Sequence, residues 1–278
     1  MKSDSQTQKV LFLDGYNMLY RARSGWTQGQ NAVVYNFFRS LRAVVGKFNP
    51  DTVYFVLEGR PVQRLAEMPE YKSQREYHDR DGFRRQRRYI IKLLKERFPV
   101  RTVLHPRYEC DDVLASLVMS THRENECIVV SSDSDFYQLL QTHQNLKLYN
   151  PVRKQFIEAP KYDYVGWKSL RGDASDNIPG FKGIGDKRAA GMMNDSVMLE
   201  KYLSHPGRRE MYDRNVRMIK FHDLGTDLDE IYRSYPDPNW PLVRKEFNDL
   251  EFFSITNNKS WDKFVRTFDK INTFYHSS

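Results

Sequence analysis

The sequence predicts an α/β fold: a mainly parallel central sheet with helices on both faces, followed by a helical second region. Short, continuously apolar runs recur through the first 150 residues, as strands buried on both faces require. Between them, apolar residues repeat at helical spacing. After about residue 165, helix-like pieces joined by glycine-rich turns replace the strands. A chain of 278 residues accommodates one large or two modest domains, and this change of texture divides it at 1–165 and 166–278.

The elements follow in order. Val10-Leu-Phe-Leu-Asp14 is an apolar run ending in a carboxylate. Val33, Val34, Phe37, Phe38, Leu41, Val44, Val45 and Phe48 place one apolar face on a helix over 32–48. Val53-Tyr-Phe-Val-Leu57 is a second strand, ending at Glu58-Gly59, and residues 83–98 are again helical. Arg101-Thr-Val-Leu-His105 reads as a third strand, 111–121 as a helix, Cys127 to Val130 as a fourth strand and Leu146 to Tyr149 as a fifth. In such sheets ligands bind outside the carboxyl ends of the strands. Asp14, Glu58, Asp133 and Asp135 sit there, and Glu109 and Asp111 lie just past the third strand.

Composition narrows the class. The chain is 40% hydrophobic and 14% aromatic, enough for a sizeable core, yet 29% charged with a net charge of +8. A basic balance favours nucleic acid or another anionic surface as partner. Two cysteines, Cys110 and Cys127, make neither a disulfide framework nor a CxxC site, so a reducing cytoplasm is expected. No run approaches the roughly 20 apolar residues of a membrane span. The opening MKSDSQTQK lacks the apolar core of a signal peptide and reads as a short disordered lead.

Five segments carry acids in turn-like contexts: Leu13-Asp14-Gly15, Leu57-Glu58-Gly59, Glu109-Cys-Asp111-Asp112, Asp133-Ser-Asp135 and Gly172-Asp173-Ala-Ser-Asp176-Asn177. Asp133 and Asp135, two apart on extended chain, point the same way. Asp173 and Asp176 share a face if their turn is helical. Asp111 and Asp112 lie about 100° apart on a helix, so one should point inward more directly than the other. Any single acid could be a helix cap or a surface loop residue. Five such segments, several at strand ends, argue for convergence. Two unit charges about 4 Å apart repel by about 4 kcal/mol at an effective dielectric of 20, so such a cluster needs raised pKa values or cations. Oxygen ligands without a His or Cys partner suit Mg²⁺ or Mn²⁺ rather than zinc. Two ions about 4 Å apart suggest in-line phosphoryl displacement, one activating water and both stabilising the transition state. A carboxylate pair for glycoside hydrolysis would not need this many acids or a basic surround.

The surround is basic. Arg80, Arg84, Arg85, Arg87, Arg88, Lys92, Lys95 and Arg97 crowd one segment, and Arg84, Arg88, Lys92 and Lys95 form a stripe on a helix. Setting aside Asp14, Glu58, Glu109, Asp111, Asp133, Asp135, Asp173 and Asp176 leaves the rest of the chain eight charges more positive than the overall +8. An acidic pit in a basic body suits metals inside and a polyanion around it. Gly183-Ile184-Gly185 would let the backbone approach a phosphate at a helix start, with Lys187 and Arg188 adding charge. A plain packing turn between helices is the alternative.

Leu13-Asp14-Gly15-Tyr-Asn17, Pro69-Glu-Tyr71-Lys72, Glu109-Cys-Asp111-Asp112, Ser132-Asp133-Ser-Asp135, Gly172-Asp173-Ala-Ser-Asp176-Asn177-Ile-Pro-Gly180 and Gly183-Ile-Gly185-Asp-Lys187 occur in one order. This ordered set, from about Val10 to Asp223, resembles the flap endonuclease or 5′-3′ exonuclease family, most nearly its compact bacteriophage members and the nuclease domain of bacterial DNA polymerase I. The resemblance implies a PIN-like nuclease domain with a helical arch at about 70–100 and a helix–three-turn–helix element. It implies Mg²⁺- or Mn²⁺-dependent cleavage of phosphodiesters near 5′ ends or branches of DNA, in replication or repair, with RNA primers paired to DNA as further substrates. Asp14, Glu58, Glu109, Asp111, Asp112 and Asp133 match the first metal group, and Asp135, Asp173 and Asp176 the second. Lys72 matches the arch-base lysine that touches the scissile phosphate, Arg75 the nearby arginine, and Tyr71 would stack on a terminal base. The turn at Gly183 and Gly185 would hold duplex DNA, with K⁺ on its carbonyls. A monomer working beside replication proteins is expected. Glu58 stands where family members usually have Asp, and the segment between Lys72 and Arg101 is short for an arch. A PIN-type ribonuclease and a non-catalytic binder of branched DNA are the alternatives.

Overall fold

The structure, a computed structural model, describes residues 7–25, 27, 29–75 and 82–271. Asp79 and Arg80 beside the cationic stripe, and most of the amino-terminal lead, lie outside the described residues. Seven strands form one sheet: β1 (Lys9–Asp14), β2 (Thr52–Leu57), β3 (Arg101–Leu104), β4 (Glu126–Val130), β5 (Leu146–Asn150), β6 (Gln155–Ile157) and β7 (Tyr232–Ser234), in the order β6-β5-β4-β1-β2-β3-β7. The five central strands are parallel, and the short edges β6 and β7 are antiparallel to their neighbours. The chain runs outward from β1 through β2 to β3, then returns to place β4 on the other side of β1. That reversal opens a crevice at the carboxyl ends of β1 and β4, where α/β sheets bind ligands.

Side-chain alternation explains why the strands read as continuously apolar. Leu11, Leu13, Val53, Phe55, Ile128 and Val130 face one core, whereas Val10, Phe12, Tyr54, Val56, Cys127 and Val129 face the other. The first core is covered by α1 (Gly15–Arg23), α2 (Ala32–Phe48) and α4 (Phe83–Arg97). The second is covered by α5 (Cys110–Ser116), which continues into a π-helical turn at Leu117–Thr121, and by α6 (Tyr137–Thr142). Between β2 and α4 lies the short α3 (Val62–Glu67).

The helical region expected after residue 165 is present. It comprises α7 (Tyr164–Arg171), α8 (Asp186–Met193), α9 (Ser196–Leu203) and α10 (Arg208–Ile219), around a small core of Leu170, Phe181, Ile184, Ala189, Met192 and Leu203. A seam of Met68, Tyr71, Ile178, Met218 and Ile219 joins it to α3. The carboxy-terminal α11 (Trp240–Asp249), α12 (Phe253–Thr256) and α13 (Asn258–Arg266) return to the first core, where Val243, Phe247, Trp261, Phe264 and Phe268 pack on the α2 and α4 layer. Phe38 meets Phe247 with ring centroids 5.0 Å apart, and Phe98 meets Trp240 at 5.4 Å. The aromatic tail is therefore mostly core, although Phe253 stays 63% exposed. Phe83, Ile90, Leu93 and Leu94 bury α4 in the same core, so this helix is not a free-standing part of an arch.

Candidate active site and metal centre

The crevice is a cleft of about 1500 Å³. Its floor is built by strand ends. Asp14 closes β1 and caps α1, its Oδ1 accepting from Asn17 N at 3.0 Å and its Oδ2 from Ser131 Oγ at 2.7 Å. Glu58 follows β2 and accepts from Cys110 N at 3.2 Å, at the start of α5. A β carbon on the next residue, Gly59, would lie 1.9 Å from His105 O, so only glycine lets the chain turn away here. Glu109 and Asp111 stand at the first turn of α5, and Asp133 follows β4, where its Oδ1 accepts from Asp135 N at 2.9 Å. Asn17 ties the two switch-point loops together: its Nδ2 donates to Ser132 Oγ at 2.7 Å, and its Oδ1 accepts from Ser132 N at 3.3 Å.

Asp135, Asp173 and Asp176 form a second group, with one carboxylate oxygen from each lying within 4.8 Å of the others. Asp173 and Asp176 come from the turn after α7, pinned by the bridge between Asp173 and Ile178. Asp133 interacts with Asp14 and Asp111 on one side and with Asp135 and Asp176 on the other, so it joins the two groups.

The electrostatics are those of a site short of positive charge. Burial raises Asp14 to about 6, with Asp133 adding repulsion. Burial, then Glu109 and Asp14, raise Glu58 to about 7. Asp111 is pushed well above its ordinary value by burial and by Asp133, Asp14 and Glu58. Asp133 is raised by desolvation in the cleft and then by Asp135, offset in part by the hydrogen bond from Asp135 N and by the charge of Lys168. Three cations offset part of this. Buried Arg64 donates to Glu109 Oε2 at 2.6 Å, to both oxygens of Asp112, and to the carbonyls of Met218 and Lys220. Lys72 pairs with Glu109 and lies 3.9 Å from Asp176 Oδ2, and Lys168 bridges Asp135 and Asp173. Burial alone would raise Asp173, but Lys168 and the Ser175 donors outweigh it and hold its carboxyl below the usual range. Oxygen donors at two adjacent centres, repelling one another where no cation reaches them, fit hard divalent cations.

The 5′-3′ exonuclease amino-terminal, resolvase-like domain matches residues 9–165, more than half of the chain. The chain belongs to the 5′-3′ exonuclease family. Thermostable DNA polymerase I of Thermus thermophilus is 30% identical over 277 residues, covering 89% of this chain and 32% of that protein. The chain thus spans about a third of the length of the polymerases it matches. A 5′-3′ exonuclease of Mycoplasmopsis pulmonis is 29% identical over 215 residues, covering 72% of this chain and 71% of that one. Among solved structures, the bacteriophage T5 D15 protein crystallised with metal ions shares the fold with a TM-score of 0.64 at 19% identity, covering 94% of this chain and 98% of that one. Human GEN1, in complex with Holliday junction DNA, gives 0.55 at 14% identity, covering 93% and 71%.

In this exonuclease-family chain the structure brings Asp14, Glu58, Glu109, Asp111, Asp133, Asp135, Asp173 and Asp176 to one cleft, with Lys72 and Arg75 at its wall. Three expectations, for Asp112, Tyr71 and Ile184, need correction. Asp112 is not available to a metal: it is fully buried on the other side of α5, gripped at both oxygens by Arg64 and also by the N–H groups of His222 and Glu109. Tyr71 cannot stack on a base, because it is 5% exposed and its hydroxyl donates to Glu109 at 3.0 Å and Asp176 at 3.1 Å. The aromatic residues that do line the cleft are Tyr16, Tyr20, Tyr164 and Trp167 alongside it. Ile184 anchors the glycine turn: its side chain is buried and its N–H is bonded to Phe181 O at 3.0 Å. Arg84, Arg88 and Lys92 are exposed on α4, but none of them lines the cleft. Gly183 has φ 79°, which favours glycine, and a β carbon at Gly183 or Gly185 would meet open space. Lys187 and Arg188 are exposed beside it, with Arg188 Nη1 3.4 Å from Gly183 O.

Sequence reasoning missed Arg64, Lys168, Asn17 and Ser131. Lys72 was found, though not its backbone: φ is 56°, a left-handed conformation unfavourable for a side-chain-bearing residue, and its N–H donates to Asp176 O at 3.1 Å.

Proposed function

We propose that the chain is a structure-selective, divalent-metal-dependent 5′ nuclease that cleaves phosphodiesters near 5′ ends or branches of DNA, and RNA primers paired to DNA. The observation that carries this reading is the pair of carboxylate groups joined through Asp133 at the sheet's reversal point. Asp14, Glu58, Glu109, Asp111 and Asp133 would hold one ion and Asp135, Asp173 and Asp176 the other. When bound, Mg²⁺ or Mn²⁺ supplies a water of lowered pKa and positive charge for the leaving oxygen.

The remaining roles fall to the chain's own residues. Lys72 keeps its charge: burial would lower its pKa, but Glu109, Asp176 and Glu58 outweigh that and raise it. It lines the cleft beside the acids, within reach of a phosphate lying over them. Arg75 pairs with Asp176 and is 42% exposed, placed to meet the same phosphate from outside. Tyr71 and Arg64 orient Glu109. The Gly183–Gly185 turn offers its backbone, and Lys187 and Arg188 their charge, to a duplex, with K⁺ as a candidate ligand of the turn. Residues 1–165 would form the nuclease domain and 166–278 the duplex-binding region and the carboxy-terminal segment. The T5 D15 flap endonuclease in complex with DNA and metal ions, and the Rad2 catalytic core in complex with DNA substrate, share this fold and support the reading.

Among the described residues no helix is long and apolar enough to cross a membrane. The test is cutting of a labelled 5′-flap DNA with Mg²⁺ or Mn²⁺, against single-stranded RNA as control. Asp135→Asn should abolish cutting and leave flap binding intact. Tight flap binding by the unmodified chain without cutting would favour the non-catalytic alternative, and cutting of the RNA alone would favour the ribonuclease.

A further inference from the structure

Lys168 sits where the second ion would sit. Its ammonium pairs with Asp135 Oδ1 and lies 2.6 Å from Asp173 Oδ2, so it engages two of the three carboxylates whose oxygens converge within 4.8 Å. Its side chain is 7% exposed. The placement follows from α7: Tyr164 and Lys168, four residues apart on one helical face, both deliver to Asp135, the Tyr164 hydroxyl at 2.9 Å.

We infer that Lys168 is a built-in counter-cation of the Asp135–Asp173–Asp176 subsite, setting how strongly that subsite takes a divalent ion and turning away when one enters. The inference rests on the two-metal reading above. The ammonium and a dication compete for the same oxygens, and their like charges exclude one another at this distance. Arg64 shows what a permanent bridge looks like here: its planar head also donates to two backbone carbonyls. The Lys168 bonds run to carboxylates alone, from a point charge on a flexible four-carbon stem. A phosphate in the cleft offers the displaced ammonium another anion. Polyanion binding and ion binding at this subsite are thereby coupled, and the coupling is reciprocal.

The experiment is Mn²⁺ titration followed by electron paramagnetic resonance without nucleic acid, combined with thermal melts in EDTA and in Mn²⁺. The unmodified chain should take two ions, the second more weakly. Lys168→Met should bind that second ion roughly tenfold tighter or more, because a unit charge about 4 Å from the dication is gone. It should melt below the unmodified chain in EDTA and recover in Mn²⁺, which a merely structural lysine would not do. Lys168→Arg, with a charged head that is harder to displace, should weaken the second ion. Unchanged or weaker second-ion affinity in Lys168→Met, or a melting deficit equal in EDTA and Mn²⁺, overturns the inference. Failure of the metal reading itself would show separately, as no Mn²⁺ uptake by the unmodified chain.

Discussion

Removing divalent ions should make this protein less stable as the pH rises toward neutrality, at the acids of the cleft. Asp14 moves from 3.8 to about 6 on folding and Glu58 from 4.5 to about 7, so the folded state holds their protons more tightly than the unfolded chain. A raised carboxylate contributes stability that is complete below its unfolded pKa and lost as pH climbs through its folded pKa. The window here runs from about pH 4 to about pH 7. Asp14, 6% exposed, shifts by about two units, which corresponds to roughly 3 kcal/mol. Glu58 interacts with Asp14, so their contributions are not simply additive. His122 opposes them: burial lowers it from 6.5 to about 4, and its stability is lost as pH falls through the same window. The quantity to measure is therefore the difference between the parent chain and Asp14→Asn, in which the His122 contribution cancels. Urea unfolding in EDTA should show Asp14→Asn gaining on the parent by roughly 3 kcal/mol between pH 4 and pH 7. In millimolar Mg²⁺ the order should reverse at neutral pH, because the ion stabilises only the chain with the full ligand set. A difference that stays flat with pH in EDTA, or that ignores Mg²⁺, would refute the reasoning.

Two further outcomes are expected. Arg64→Met strands the buried carboxylates of Asp112 and Glu109 and should cost about 3–5 kcal/mol by urea unfolding; adding Asp112→Leu should recover part of that loss, since no buried charge then remains at that position. Gly185 has φ −97° and open space at its β position, so Gly185→Val should leave the melting temperature unchanged. Fluorescence anisotropy should show duplex affinity falling roughly tenfold, the worth of one backbone hydrogen bond to a charged group.

The sheet was legible because its central strands are buried on both faces. Val10 to Leu13 reads as uninterrupted apolar sequence although its residues alternate between two cores. The edge strands β6 and β7 were not legible: three residues each, mostly exposed, they carry no periodic signal. Helix α1 was hidden because it begins at Gly15, directly after a strand-ending aspartate that serves as its cap. In the site, acids were legible by their position at strand ends, where a parallel sheet gathers them. The cations were not. Arg64 in PVQRLAE and Lys168 in GWKSLRG look like solvated surface residues, and only the approach of α3 and α7 to the cleft buries them. Asp112 marks the limit of motif matching: helix geometry separates it from Asp111 by about 100°, and that turn places one at the cleft and the other against Arg64.

That separation divides the acidic pit by the kind of cation that meets it. Arg64 cannot lose its proton and is fixed by bonds in several directions, so Asp112 is permanently neutralised and one oxygen of Glu109 permanently oriented. Lys72 and Lys168 reach the remaining acids on flexible stems, at the wall of the same cleft. A wholly lysine-neutralised pit would have no fixed ligand geometry. A wholly arginine-neutralised one would exchange its cations for metal only at great cost. The observed division reconciles the two demands: arginine holds the scaffold of the site, and lysines occupy the places that an incoming dication and a phosphate must share.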